Sequence, residues 1–306
     1  MQDQDGIRAV RSFWNTEACG TQLISNYEDD RDFFEQYRTL RYQVEWHIPD
    51  LVASTSPRDK AVLEIGCGNG ADGVLFAKNG ANYTGVDLTE AAVDATSKHF
   101  AILGLNGKFQ IEDAESLSFD DERFDVVYSY GVLHHTPNPG AALSEVHRVL
   151  KRNGKAIVML YHKHSFNYYA RILGYMRLRV LGEIISRVGR WKSDKLRTGR
   201  TKLTGMRGNS NSNTWLIHYE NFLSQGWSYL RAENFVHHCT DGPECPYAFC
   251  YTKSDARKLF ASFREVKTQV AHFPLRKLAV GKLLPFWLEK LLASWMGWYL
   301  IVTATK

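Results

Sequence analysis

The apolar run at residues 61–63 leads straight into a glycine-rich segment at residues 64–70, which reads Glu-Ile-Gly-Cys-Gly-Asn-Gly. Three glycines at alternate positions after a short apolar run are typical of a buried strand entering a tight turn, because glycine lets the backbone approach a ligand without a Cβ clash. The helix predicted from about Ala71 points its N-terminus at the same place. A second strand, residues 83–86, ends at Asp87, whose carboxylate is placed to accept hydrogen bonds from a ribose diol. This layout predicts a doubly wound α/β sheet with a nucleoside-binding crevice.

Glu64 distinguishes between two ligand classes that share such a turn. Gly66, Gly68 and Ala71 also satisfy the dinucleotide pattern G-x-G-x-x-G/A. A carboxylate two residues before the first glycine would repel a pyrophosphate, whereas it suits an ammonium group such as the amino end of a methionine moiety. The segment resembles the first motif, E/D-x-G-x-G-x-G, of the class I S-adenosylmethionine (SAM)-dependent methyltransferases.

Further segments match that family in the right order. Asp113 and Ala114 follow the predicted third strand, residues 107–111. Residues 130–135, Tyr-Gly-Val-Leu-His-His, follow the predicted fourth strand and are similar to the family's loop beside the sulfonium. The resemblance extends over about residues 60–160 and is specific for the cofactor rather than for the methyl acceptor.

The resemblance implies a set of cofactor contacts. Glu64 would recognise the methionine amino group, Asp87 would hold the ribose, and an acid at position 113 would contact the adenine. The predicted cofactor-binding residues are Glu64, Gly66, Cys67, Gly68, Gly70, Asp87, Leu88, Asp113, Ala114 and Tyr130. SAM is the expected cofactor, and S-adenosylhomocysteine (SAH) is its product.

Histidines that follow predicted strands are candidates for the acceptor chemistry, because ligands bind at the carboxyl ends of strands in such sheets. Methyl transfer is an in-line displacement that needs a general base only when the acceptor has a proton to lose. We predict His134, His135 and His162 as catalytic candidates. Tyr161 and His164 are predicted acceptor contacts. The alternative is that these histidines only hydrogen-bond the backbone.

Residues 237–250 hold two histidines and three cysteines. Their spacing is not that of a zinc site, which prefers C-x₂₋₄-C pairs, so no metal is predicted. The core Asp-Gly-Pro-x-x-Pro resembles a turn of related bacterial methyltransferases. His238 and Tyr247 are therefore predicted to line the acceptor pocket, with a plain rigid turn as the alternative.

Composition bounds the remaining choices. The chain has 306 residues, a net charge of +5 and five cysteines. It has no run of 18 uncharged apolar residues, and its N-terminus is polar and acidic, so we predict neither a spanning helix nor a signal peptide. An odd number of cysteines without a small-domain framework favours reduced thiols and a cytoplasmic protein.

Positive charge is concentrated between Arg171 and Arg207, where 11 Lys or Arg stand against two acids. This stretch suits RNA, an anionic membrane face or an acidic substrate, and a solvated helix face is the plainer alternative. Aromatic residues are not regularly interleaved with the basic ones, so no nucleic-acid partner is expected. For the aromatic helix near residues 285–295, packing on the sheet edge is preferred to contact with a membrane surface.

Residues 7–56 are predicted to be helical. Pro49 is predicted to end a helix within this range. Arg41 is a candidate to meet the methionine carboxylate, and packing of this helix on the sheet is the alternative. Strands and helices alternate over residues 61–160, which predicts a parallel sheet.

The predicted fold class is α/β, a doubly wound, seven-stranded and mostly parallel sheet of the Rossmann-like methyltransferase type. The predicted parts are an N-terminal helical lid at 1–56, a SAM-binding core at 57–160, a substrate cap insert at 161–252, and the last helices and antiparallel edge strands at 253–306. The predicted function is methyl transfer to an O, S, N or C atom of a small molecule, small thiols included. The alternatives are a NAD-dependent oxidoreductase, disfavoured by Glu64, and a non-catalytic SAM-binding protein.

Overall fold

The computed structural model describes residues 3–16, 24, 26–195, 210–273, 275 and 285–306. They divide into two compact units. The first unit is formed by residues 1–165 and 249–306, and the second by residues 166–248. The first unit holds the sheet, and the described part of the second unit is helical.

A single sheet organises the first unit. Its strands, in chain order, are β1 (Ala61–Ile65), β2 (Asn82–Asp87), β3 (Lys108–Ile111), β4 (Phe124–Tyr130), β5 (Leu150–His162), β6 (Cys250–Tyr251), β7 (Glu265–Ala271) and β8 (Tyr299–Thr305). They lie in the order β3-β2-β1-β4-β5-β8-β7, and the short β6 pairs with β5. β1 to β5 are parallel to one another, whereas β8 is antiparallel to both β5 and β7. This confirms the predicted doubly wound, mostly parallel sheet, with β6 as an additional two-residue strand.

The helices of the described residues are, in chain order, α1 (Gln4–Thr16), α2 (Asp30–Val44), α3 (Ile48–Ser54), α4 (Ala71–Lys78), α5 (Glu90–Ile102), α6 (Pro139–Val149), α7 (Arg177–Lys195), α8 (Ser210–Gln225), α9 (Ala232–Phe235), α10 (Lys253–Leu259) and α11 (Phe286–Met296). A π-helical segment, Asn167–Met176, precedes α7. Within the described ranges, no helix is both long enough and apolar enough to cross a membrane.

Side-chain caps account for several helix starts. Thr89 caps α5 by accepting a hydrogen bond from the Ala92 N–H. Thr252 caps α10 in a reciprocal arrangement with Asp255, in which each side chain accepts from the other residue's backbone N–H. The prediction that Pro49 ends a helix is wrong. Pro49 lies in the first turn of α3, where its missing N–H would have had no helical partner.

The central strands are buried along most of their length, because helices cover a parallel sheet on both faces. Leu63, Val127 and Val158 come from three neighbouring strands and are fully buried in one apolar cluster. Val146 of α6 and Val302 of β8 belong to the same cluster. This core holds the carboxyl ends of β1, β2 and β4 in fixed positions for the loops that follow them.

Replacing Gly66 with alanine should destabilise the first unit. The Gly66 backbone has a φ of +81°, and a Cβ there would lie 2.1 Å from Cγ2 of Val132. We expect the free energy of unfolding to fall by about 3 kcal/mol, of which roughly 1 kcal/mol comes from the positive φ. Urea denaturation measures this loss.

Gly104→Ala is the matched control for that substitution. Gly104 also has a positive φ, +64°, but a Cβ there would meet no heavy atom within 4 Å. This variant should therefore lose only about 1 kcal/mol. Equal losses of unfolding free energy in the two variants would show that the clash with Val132 does not destabilise Gly66→Ala.

Candidate active site

The glycine-rich turn joins β1 to α4. Gly66, Gly68 and Gly70 all have positive φ angles, and Gly70 directly precedes the first turn of α4. The N–H groups of Gly66 and Cys67 donate to the Val86 carbonyl at 2.7 and 3.0 Å, which ties the turn to the end of β2. A Cβ on Gly68 would meet no heavy atom within 4 Å. The turn therefore offers room for a ligand directly beside its backbone.

Asp87, the last residue of β2, is held by its neighbours. Its Oδ1 accepts hydrogen bonds from the backbone N and the Oγ1 of Thr89, at 3.0 and 2.9 Å. Its Oδ2 accepts from the Gly68 N–H at 3.2 Å. Burial raises the pKa of Asp87, and the hydrogen bonds from Thr89 and Gly68 oppose this shift. The carboxylate is thus fixed beside Gly68, where a nucleoside's hydroxyl groups would need an acceptor.

Glu64 lies near the end of β1 and is only 4% exposed. The Tyr83 hydroxyl on β2 donates a hydrogen bond to its Oε2. Burial and the nearby Asp72 carboxylate raise the pKa of Glu64 well above its usual value, whereas Tyr83 and the charge of Arg41 oppose the shift. A further cation, such as a ligand ammonium group, would favour the ionised carboxylate.

A buried ion pair joins α2 to the start of α4. The Nε and Nη2 atoms of Arg41 donate to the two oxygens of Asp72, at 2.9 and 2.6 Å, and its Nη1 lies 3.0 Å from Glu45. The Tyr128 hydroxyl on β4 donates to Asp72 at 2.9 Å. Burial disfavours the charge of Arg41, but Asp72 and Glu45 outweigh it, so the pKa of Arg41 is raised. Arg41, a candidate for the methionine carboxylate, is therefore already paired with two protein carboxylates.

Tyr130 ends β4 within a cluster of rings. Its hydroxyl lies 2.6 Å from Nε2 of His47, and the guanidinium of Arg41 lies 5.4 Å from its ring centroid. Burial, together with His272 and Arg41, lowers the pKa of His47 to about 4. His47 is therefore neutral at pH 7. It forms one hydrogen bond with the Tyr130 hydroxyl, and the tautomer of His47 decides which of the two donates.

The other predicted cofactor residues either follow β3 or adjoin the glycine turn and Asp87 in the chain. Oδ1 of Asp113, just after β3, accepts from the Glu115 N–H at 2.9 Å, and Ala114 is buried. Burial and the charge of Asp87 raise the pKa of the Cys67 thiol, which stays protonated. Leu88 is partly buried.

His134 and His135 lie in a short 3₁₀ turn after β4. His134 is 0% exposed, with its ring 4.0 Å from Tyr161 and 4.3 Å from His135. Burial and His135 lower the pKa of His134 well below 6.5, so its ring is neutral. Tyr161 in turn stacks on Trp298 at 4.4 Å. This packing favours a structural part for His134, and its catalytic role stays a prediction.

His162 ends β5 and is 3% exposed. Its Nδ1 lies 3.1 Å from the Gly297 carbonyl oxygen, which is the backbone partner that the sequence left open as an alternative. Burial lowers the pKa of His162, and the Gly297 carbonyl opposes this shift. His164, two residues further, is exposed.

His238 and Tyr247 belong to the second unit. The Nδ1 of His238 lies 2.9 Å from the Pro243 carbonyl oxygen, and burial lowers the pKa of His238. The Tyr247 ring lies 6.4 Å from that of His237, whose Nδ1 accepts from the Ala248 N–H at 2.8 Å. These contacts account for a well-packed turn, and the contact of His238 and Tyr247 with an acceptor stays a prediction.

Three residues of the site were not predicted from the sequence. Asp72 is an acid in the first turn of a helix, which is an ordinary place for an acid and gives no sign of a buried partner. Tyr128 carries a hydroxyl inside an otherwise apolar strand, and that was a usable signal, since a buried hydroxyl needs a partner. His47 stands between two helices with no motif around it.

Comparison with known proteins identifies the core. Residues 63–158 match the family described as methyltransferase domain. The ubiquinone biosynthesis O-methyltransferase of Coxiella burnetii is 32% identical over 117 residues, which cover 38% of this chain and 50% of that protein. The corresponding protein of Pseudomonas fluorescens is 31% identical over 116 residues, with the same shares. The chain thus spans about half the length of the curated relatives it matches.

Solved structures agree on the fold. Magnesium protoporphyrin IX methyltransferase of Synechocystis PCC 6803 with bound SAH has a TM-score of 0.52 at 16% identity, over 99% of this chain and 100% of that one. A SAM-dependent methyltransferase from Methanosarcina mazei has a TM-score of 0.50 at 16% identity, over 84% and 96%. The core of this chain is a class I SAM-dependent methyltransferase domain, as the resemblance predicted. SAM is the cofactor of this class.

Removing the Asp72 carboxylate should destabilise the first unit strongly. Asp72→Ala leaves the buried Arg41 with Glu45 alone and leaves the Tyr128 hydroxyl without its acceptor. We expect a loss of about 3 kcal/mol in the free energy of unfolding, measured by urea denaturation.

Asp121→Ala is the control for Asp72→Ala. Asp121 pairs with Arg148 at 2.8 Å, but its side chain is 74% exposed. Its removal should cost no more than about 1 kcal/mol. If Asp72→Ala costs as little as this, the buried pair does not hold α2 in place.

Glu64→Gln should change how stability depends on pH. The folded chain keeps the Glu64 proton above the usual glutamate pKa of about 4.3, and the unfolded chain does not. The wild type therefore loses stability as the pH rises through the folded-state pKa. The variant lacks this loss, so its stability relative to the wild type should rise between about pH 5 and pH 8.

Urea denaturation at several pH values measures this difference. Glu145→Gln is the control, because its hydrogen bond from Arg148 lowers the pKa of Glu145 and its titration falls below this range. A pH-independent difference between Glu64→Gln and the wild type would mean that Glu64 is ionised in the folded protein.

Proposed function

We propose that this chain transfers a methyl group from SAM to an oxygen atom of a small-molecule acceptor. The observation that carries the SAM part is the pairing of Gly68 with Asp87. A glycine that borders open space donates its N–H to a carboxylate held by Thr89, so a nucleoside would find backbone room and a fixed acceptor together. The methyltransferase domain at residues 63–158 supports the same assignment.

The chain's own residues divide the binding of SAM between them in this proposal. Asp87 holds the ribose hydroxyls, and Glu64 receives the ammonium group through its ionised carboxylate. Asp113 and Ala114 flank the adenine, and Tyr130 stands at the reacting end. When bound, SAM supplies a methyl group on a positively charged sulfur. Because that charge disappears in the reaction, a wall of aromatic rings around Tyr130 is compatible with it.

The acceptor is proposed to carry a weakly acidic hydroxyl, such as that of a phenol or an enol. The relatives named O-methyltransferases support oxygen as the accepting atom. Burial lowers the pKa of His47, His134 and His162, so each of these rings is a weak base. A weak base suits an acceptor that gives up its proton readily, and proximity and orientation then supply most of the rate.

The acceptor contacts are proposed among residues outside the cofactor turn. Those predicted from the sequence are Tyr161, His164, His238 and Tyr247. The relatives match this chain over 38% of its length, so the acceptor is identified by experiment. A panel of phenols, thiols and amines with labelled SAM tests the accepting atom. Turnover of thiols or amines alone would overturn the oxygen assignment.

Asp87→Ala should weaken SAM binding by about 1–3 kcal/mol, because charge-assisted hydrogen bonds to the ribose are lost. Titration calorimetry with SAM, SAH and NAD measures it. Glu90→Ala is the control, because Glu90 is an exposed carboxylate three residues further along the chain and should leave the affinity unchanged.

Three results would revise the proposal. Tight binding of NAD without SAM would favour the oxidoreductase alternative. SAM binding without turnover of any acceptor would favour a non-catalytic SAM-binding protein. An unchanged dissociation constant in a folded Asp87→Ala variant would remove Asp87 from the ribose site.

A further inference from the structure

The second unit exposes large apolar side chains on one side of α7. Leu178, Leu181 and Ile185 follow one another at intervals of three and four residues and so share a helix face. Leu178 is 69% exposed and Ile185 is 71% exposed. Trp227, in the 3₁₀ turn after α8, is 70% exposed. We call Leu178, Leu181, Ile185 and Trp227 the apolar patch.

A groove makes part of this patch continuous. It has a volume of about 430 Å³, and Leu178, Leu181 and Trp227 all line it. Two cationic side chains, Arg177 and Arg231, line the same groove. Guanidinium groups thus stand directly beside exposed leucine and tryptophan, which is the pairing that suits an anionic headgroup above hydrocarbon.

Charge around the patch is predominantly positive. Residues 166–248 contain twelve Lys or Arg and six Asp or Glu, so the second unit has an excess of positive charge while the rest of the chain is close to neutral. Glu183 is the one acid in residues 166–187, and it pairs with Arg187 at 3.1 Å. No other acid of that segment opposes an approaching anionic surface.

We propose that the second unit docks on an anionic lipid bilayer through the apolar patch. α7 would lie along the surface, with Leu178, Ile185 and Trp227 entering the interface and Arg177 and Arg231 meeting the headgroups. A second copy of the chain fits less well, because two units of the same positive sign repel each other. RNA would match the arginines but would gain nothing from exposed Leu178 and Ile185.

The test is sedimentation of the full chain with lipid vesicles. One set of vesicles is phosphatidylcholine alone, and the other contains phosphatidylglycerol. We expect binding to the anionic vesicles only, weakened by about 0.5 M NaCl, which screens charges beyond a few ångströms. Leu178→Glu should lower the bound fraction about fivefold or more, because it places a carboxylate in the interface.

Matched variants locate the contact. Leu291→Glu, on α11 of the first unit, changes another well-exposed leucine in the same way and should leave vesicle binding unchanged. Trp227→Ser should weaken binding as Leu178→Glu does. Circular dichroism and SAM affinity should match the wild type for all three variants, because none of these residues touches the cofactor turn.

Several outcomes would overturn the proposal. Among them are a failure to bind anionic vesicles and an equal loss in Leu291→Glu, which would assign the contact to α11. Binding of single-stranded RNA in place of vesicles would make the patch a nucleic-acid surface. Dimers that dissociate in Leu178→Glu would make it an interface between copies.

Discussion

The buried carboxylate of Asp72 joins three parts of the first unit that are far apart in the chain. Asp72 lies in the first turn of α4, directly after the glycine turn. Its carboxylate accepts two hydrogen bonds from Arg41 on α2 and another from Tyr128 on β4. Tyr42, next to Arg41, donates its hydroxyl to the Ala71 carbonyl at 2.8 Å. Arg41 and Tyr42 therefore fasten α2 to the start of α4, and a change in the position of α2 would be transmitted to the glycine turn through both contacts.

This arrangement places a strong field near Glu64. Asp72 disfavours the charge of Glu64, and Arg41, which pairs with Asp72 at contact distance, only moderates this effect. Protonation of Glu64 removes its repulsion from Asp72 and the free-energy cost of burying its charge. An incoming ammonium group would also offset the repulsion from Asp72, and Glu64 would then stay ionised. In the proposed binding mode, cofactor binding would therefore release the proton of Glu64.

Local patterns made much of the fold predictable. The glycines at 66–70, the cap at Thr89 and the apolar strands each act over a few residues, so the sequence shows them directly. The contacts that complete the site do not have this property. Arg41 and Asp72 are 31 residues apart, and His47 and Tyr130 are 83 residues apart. The sequence around each of these residues contains no pattern that predicts its partner. The concentration of positive charge between Arg171 and Arg207, by contrast, is visible in the sequence itself.

The order of strands in the sheet has a consequence for how the chain acquires it. β8 pairs along residues 155–161 of β5, yet the second unit, β6, α10, β7 and α11 are all synthesised between them. Until β8 arrives, residues 155–161 of β5 lack the strand that pairs with this edge, because the two-residue β6 pairs with β5 on the side of β4. Such an open edge can recruit strands from other chains. The nascent protein therefore passes through a stage in which β5, a strand of the folded core, has an unpaired edge, and early folding of the inserted second unit would not shorten this stage.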